Sequence, residues 1–108
     1  MSNLHEISVA RLQEMQSNGN LRLIDVRGDA EVARGMIDGA QHIPLHQLPA
    51  KAAVWDAESP TVFYCQSGAR SAQACQFFSS KGFTQVYNLQ GGLSAWVKNG
   101  MPLTGGAA

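Results

Sequence analysis

The sequence predicts an α/β fold: a mostly parallel sheet covered by helices on both faces. Short apolar runs such as Leu21–Val26 and Thr61–Tyr64 alternate along the chain with segments whose apolar residues recur at helical spacing. Strands alternating with helices form parallel sheets buried on both sides. A chain of 108 residues, 44% hydrophobic, suits one compact domain with a core that needs neither disulfides nor metal. Residues 1–104 are expected to form that domain, and the Gly105–Ala108 tail, Gly-Gly-Ala-Ala, is expected to be disordered.

The elements follow in order. Ile7-Ser8-Val9 reads as a short strand leading into a helix over Ala10–Gln16, which Ser17-Asn18-Gly19-Asn20 stops. Leu21–Val26 reads as a buried strand, and a short helix is expected over Ala30–Gly35. Gln41-His42-Ile43 is ambiguous and ends at Pro44; Leu45–Val54 has helical character broken by Pro49. Thr61–Tyr64 follows the turn-former Pro60 as a clear strand. Ser71–Lys81 is the clearest helix, with Ala72, Ala74, Cys75, Phe77 and Phe78 as its apolar positions and Gly82 as its stop. Gln85–Leu89 reads as a strand, and Gly92–Asn99 as a final helix ending at Gly100 and Pro102.

Composition excludes several functions. Eight basic residues balance eight acidic ones, so no global field draws nucleic acid or an anionic membrane. No apolar run is long enough to span a bilayer, and Met1–Glu6 has neither the basic patch nor the apolar stretch of a secretory signal. Cys65 and Cys75 are too few for a disulfide scaffold and lack metal-ligand spacing. His42 and His46 bracket Ile43-Pro44-Leu45 without further ligands, so no metal is expected. A reducing, cytoplasmic setting is the expectation.

The chemistry concentrates in Cys65-Gln66-Ser67-Gly68-Ala69-Arg70-Ser71. A buried strand delivers Cys65 to the carboxyl edge of the sheet, where functional crevices of such folds lie. The loop then enters a helix, so its backbone N–H groups and the helix N-terminus can converge on one sulfur and favour the thiolate. Gly68 permits the turn, and Ser71 is the expected N-cap. Against this stands the plainer reading of Cys65 as a small buried hydrophobe.

The resemblance to the rhodanese homology domain weighs against that plainer reading. Leu23-Ile24-Asp25-Val26-Arg27 with Glu31, Gly35, Ile37, Gly39-Ala40 and Ile43-Pro44 resembles the first signature of that family. Cys65–Ser71 resembles its active-site loop, and Leu89-Gln90-Gly91-Gly92 with Trp96 its closing motif. The resemblance implies a five-stranded, mostly parallel sheet with helices on both faces. It also implies a sulfurtransferase in which Cys65 takes sulfane sulfur as a persulfide from thiosulfate or a persulfide donor. A cyanide, small-thiol or protein-thiol acceptor then removes it, with no cofactor. The alternative within the same family is a non-catalytic regulatory or sulfur-carrier binding module; such versions usually lack the cysteine. Met36 stands where the family usually has histidine, and Val32 where it has an aromatic residue. A change in packing or partner surface is the expected result.

Related phosphatases and arsenate reductases have a longer gap between cysteine and arginine than Gln66-Ser67-Gly68-Ala69, so the shorter loop favours a terminal sulfur over a tetrahedral oxyanion. Arg70 has two readings, anion binding and a structural ion pair. Asp25 and Arg27 also have two, orientation of the loop and a buried ion-pair network, of which the network is favoured. Cys75 reads as core, and Trp55 and Trp96 as packing residues.

Overall fold

The computed structural model describes residues 5–105. Its strands are β1 (Glu6–Ile7), β2 (Arg22–Asp25), β3 (Gln41–His42), β4 (Thr61–Tyr64) and β5 (Val86–Leu89). The helices are α1 (Val9–Asn18), α2 (Asp29–Val32), α3 (Ala69–Ser80) and α4 (Gly92–Lys98), with a 3-10 helix over Leu45–Ala53. The five strands form one sheet in the order β1-β5-β4-β2-β3. Every pairing within it is parallel.

Alternation along the central strands divides the core. Leu23, Val62 and Tyr64 face a cluster with Leu12, Met15, Leu93 and Trp96, which places α1 and α4 on one side. Ile24, Phe63 and Cys65 face a cluster with Leu48, Cys75 and Phe78, which places α3 and the 3-10 helix on the other. All four residues of β4 are buried, as expected of a parallel strand covered on both faces. Among the described residues, no helix is long and apolar enough to cross a membrane.

Several boundaries differ from the sequence expectation, each for a local reason. Ser8 is not strand: its hydroxyl accepts the Arg11 N–H at 3.0 Å and caps α1, so the helix starts at Val9. The helix expected over Ala30–Gly35 is displaced to Asp29–Val32, where the Glu31 carboxylate accepts the Gly28 N–H at 3.1 Å. Gly35 follows with φ 128°, outside helical space. Pro49 is accommodated because the segment winds as a 3-10 helix.

Helix α3 begins at Ala69, two residues before the expected start. Ser71 is therefore not the N-cap; Gly68 is, with φ 111°. Gly82 does end this helix, in a Schellman turn closed by Phe83 N–H to Phe78 C=O at 3.1 Å. The expected N-terminal and tail features at residues 1–4 and 106–108 lie outside the described residues. Just before that tail, Thr104 exchanges two backbone hydrogen bonds with Met36, at 2.8 and 2.9 Å.

Strand order fixes the place of the crevice. From β2 the chain crosses outward to β3, whereas from β4 it crosses the opposite way to β5. The carboxyl ends of β2 and β4 therefore flank a topological switch point. Asp25 pairs with Tyr64 at that edge, and the next residues on each strand lead to Arg27 and Cys65.

Candidate active site

Cys65 leaves β4 with its sulfur turned back into the following loop. The Gly68 N–H donates to Sγ at 3.1 Å, the Ser71 N–H reaches it at 3.5 Å, and Ser71 Oγ lies 3.4 Å away. Burial raises the Cys65 pKa, but the Ser71 hydroxyl and the Ser71, Gly68 and Ser67 amides outweigh it, leaving a net lowering. Gln66, Ser67 and Ala69 form the exposed rim, while Cys65 itself is only 1% exposed. The sulfur is thus buried against the N–H donors of its own loop.

Glycine at 68 is required by its φ of 111°, while its surroundings would admit a side-chain carbon at ordinary contact distance. A Cβ there would meet the Asn88 side chain at 3.7 Å, and Asn88 Nδ2 donates to the Gly68 carbonyl at 3.1 Å. Ser71, fully buried, donates its hydroxyl to Asn88 Oδ1 at 2.5 Å. The residue expected as a helix cap instead links the sulfur to β5.

The amino end of α4 holds the loop from below. Leu93 N–H donates to the Cys65 carbonyl at 2.8 Å, and Ser94 N–H to the Gln66 carbonyl at 3.0 Å. This approach depends on Gly92, whose φ is 59° and where a Cβ would lie 2.6 Å from the Cys65 oxygen. Gln66 also donates to Ser94 Oγ at 3.0 Å.

Asp25 and Arg27 form the buried ion pair that the sequence favoured, 0% and 2% exposed and 2.8 Å apart. The same guanidinium donates to the Gly35 carbonyl at 2.7 Å and to Gln66 Oε1 at 3.3 Å. The network and the contact to the loop are therefore one arrangement. Arg70 is paired with Glu31 by two hydrogen bonds, 2.6 and 2.8 Å. Those bonds hold the Glu31 carboxyl down at about 2, and Glu31 in turn raises the Arg70 pKa, to which a nearby Cys65 thiolate adds.

Cys75 is core: it is 2% exposed beside Phe78, and burial pushes its thiol up to about 12. Both cysteines are free thiols. Trp96 packs in the core and donates to the Pro102 carbonyl at 2.9 Å. Trp55 stacks on Phe78, and the Arg22 guanidinium lies 4.3 Å from the Trp55 ring centre. His42 Nε2 lies 2.7 Å from the Arg27 carbonyl oxygen, a structural contact at the base of the crevice.

Glu31, Asn88, Gly92 and Ser94 entered the sequence reading without roles, or not at all. The Glu-x-x-x-Gly and Gly-Gly patterns marked two of them; nothing local marked Asn88 or Ser94, because their partners are distant in the chain.

The family described as the rhodanese-like domain matches residues 8–99, which takes in every element from α1 to α4. The chain belongs to that family. A sulfurtransferase of Allochromatium vinosum is 38% identical over 91 residues, covering 84% of this rhodanese-like chain and 85% of the relative. The human thiosulfate:glutathione sulfurtransferase is 34% identical and covers 91% of this chain and 97% of its own length. Among solved structures, a rhodanese-related protein from Thermoplasma volcanium superimposes with TM-score 0.83 at 28% identity, over 94% of this chain and 98% of that one. The rhodanese-like fold and kinship with sulfurtransferases follow from these likenesses.

Proposed function

We propose that this rhodanese-like chain transfers sulfane sulfur through a persulfide on Cys65, as one domain over residues 1–104. The Cys65 thiolate attacks the outer sulfur of thiosulfate or a persulfide donor. A new S–S bond forms, the donor's S–S bond breaks, and sulfite or a thiolate leaves with its electron pair. An acceptor, either cyanide or a thiolate, then attacks the outer sulfur, and Cys65 departs as thiolate. The cycle is redox-balanced, needs no metal or organic cofactor, and suits a reducing compartment such as the cytoplasm.

The observation that carries this reading is the sulfur inside the ring of N–H donors, with a lowered pKa despite burial. Loop residues Gln66, Ser67, Gly68, Ala69, Arg70 and Ser71 supply the cradle that would hold the persulfide's charge. Asp25 and Arg27 keep Gln66 in place. Arg70, neutralised by Glu31, assists an anionic donor only to the extent that the donor competes with that carboxylate.

Incubation with thiosulfate or an organic persulfide, followed by mass spectrometry of the intact protein, tests this. The expected result is a gain of one sulfur atom that is lost on adding cyanide or thiol. Cys65→Ser should abolish both the adduct and turnover, while Cys75→Ser retains most activity. If no donor gives an adduct, the chain is a binding module; equal loss in both folded variants would require a two-cysteine mechanism.

A further inference from the structure

Asn88 is a fully buried amide in the middle of the sheet, on β5 between Phe63 of β4 and Glu6 of β1. Its Nδ2 donates to the Gly68 carbonyl at 3.1 Å and to the Glu6 carboxylate at 3.3 Å. Both partners only accept, so the amide has one orientation; reversed, its oxygen would face two other oxygens. Oδ1 therefore lies against Ser71 Oγ, 2.5 Å away, and there it can only accept.

The consequence reaches the sulfur. Ser71 is fully buried and has a single hydroxyl proton. While that proton goes to Asn88, the hydroxyl presents an oxygen lone pair to Cys65 Sγ at 3.4 Å. A lone pair suits the thiol, whose S–H donates, and opposes the thiolate, which needs donors. The Gly68 and Ser71 N–H groups favour the thiolate without any such rearrangement, because they are fixed by the backbone. Two charged side chains come near: Arg70, gripped by Glu31 but close enough to feel a Cys65 thiolate, and Glu6 on the far side of Asn88. Among the described residues neither bonds the Ser71 hydroxyl, so Asn88 and Cys65 alone compete for its proton.

We infer that Asn88 is a positioning residue for Cys65: it holds the Ser71 proton, so the ionised sulfur gains that hydroxyl only by drawing the proton off Asn88. Asn88 is thus a brake on the nucleophile. The hydroxyl turns about its C–O bond, and no covalent bond is made or broken in the turn. When Cys65 departs as thiolate on giving up a sulfur atom, the same turn serves it. That use rests on the sulfurtransferase reading; the control of Cys65 ionisation does not.

Asn88→Leu keeps roughly the shape of the side chain and removes the competing acceptor. Alkylation of Cys65 by iodoacetamide near neutral pH should then run about two- to tenfold faster, the equivalent of one neutral hydrogen bond, with its pH midpoint moved down. A merely structural loss, through the freed Gly68 carbonyl, would act whatever residue stands at 71. Asn88→Leu added to Ser71→Ala should therefore leave the alkylation profile of Ser71→Ala unchanged. An effect of equal size in both backgrounds, or none in either, overturns the proposal.

A second reading uses the native protein and decides the matter should Asn88→Leu fail to fold. The chemical shift of the Asn88 side-chain carbonyl carbon, followed by NMR across pH, should step at the Cys65 alkylation midpoint, because the Ser71 proton leaves Oδ1 there. Ser71→Ala should abolish the step. A shift that ignores that midpoint, or a step that persists in Ser71→Ala, overturns the proposal. Both results as expected, in a protein that takes sulfur from no donor, would keep Asn88 in this role and overturn the sulfurtransferase reading. Sulfur transfer with neither result would do the reverse.

Discussion

Ser71 has one hydroxyl proton and two acceptors within reach. Asn88 Nδ2 is directed to the Gly68 carbonyl and Glu6, at 3.1 and 3.3 Å, which leaves Asn88 Oδ1 facing the hydroxyl. While Cys65 is a thiol, its S–H can donate to Ser71 Oγ, and Ser71 donates onward to Asn88. Once Cys65 ionises, the Ser71 proton serves the sulfur best by turning to it. Ser71→Ala removes that proton and should raise the Cys65 pKa, because a hydrogen bond to the charged sulfur is lost. The pH dependence of iodoacetamide alkylation reads this directly; an unmoved midpoint would leave the amides as the whole cause of the lowering. At this scale the sequence was informative about Cys65 and Cys75, because strand end and helix face are local properties. It misassigned Ser71, since a hydroxyl near a helix start looks like a cap until the position of β5 is known.

Gly92 and Gly82 both carry positive φ, 59° and 91°, yet they differ in what surrounds them. Gly82 faces open space, so Gly82→Ala should cost only about 1 kcal/mol of conformational strain. At Gly92 a methyl group would press on two backbone oxygens of the loop, at 2.6 and 2.7 Å, and backbone cannot step aside as a side chain can. Gly92→Ala should cost about 2–4 kcal/mol by denaturant titration and should also slow alkylation of Cys65, because α4 must withdraw from the loop. Equal costs at the two positions would show that the close approach is relaxed in solution. Periodicity and stop signals in the sequence were sufficient for β4 and for the end of α3, though not for its first turn. They could not separate strand from cap at Ser8, nor foresee the 3-10 winding around Pro49, because hydrogen bonds rather than hydropathy decide both.

Across the whole molecule, stability should be nearly flat from about pH 4.5 to about pH 9 and decline beyond each limit. Glu31 has its folded value depressed to about 2 from an ordinary 4.5, so its contribution is complete above 4.5 and is lost as pH falls towards 2. Cys75 has the opposite sign. Its thiol is raised to about 12 from 9.0, so its contribution holds below about 9 and is lost as pH rises towards 12. Cys65, lowered from 9.0, has the Glu31 sign: its contribution grows as pH rises towards 9 and is constant above it, so it tilts the alkaline end of the plateau upward and leaves the Cys75 loss unopposed. Urea midpoints across pH should show Glu31→Gln flattening the acid limb and Cys75→Ala moving the alkaline onset up towards 10, where the buried Tyr64 hydroxyl, raised from 10.0, takes over. If both limbs survive the substitutions unchanged, other groups set the pH response.

The fold class was legible at this scale because alternating buried strands and amphipathic helices can pack in few other ways. The charge pattern of the crevice was not, since each ion pair in it except Asp25–Arg27 joins separate elements. Glu31 and Arg70 meet across 39 residues of chain, and Arg27 and Gln66 across the same interval. Neither contact can form before β2 and β4 have found each other, and parallel pairing over such loops is slow to nucleate. Those two contacts therefore close the crevice late, whereas the N–H groups that hold the Cys65 sulfur lie within six residues of it and arrive with the first turn of α3.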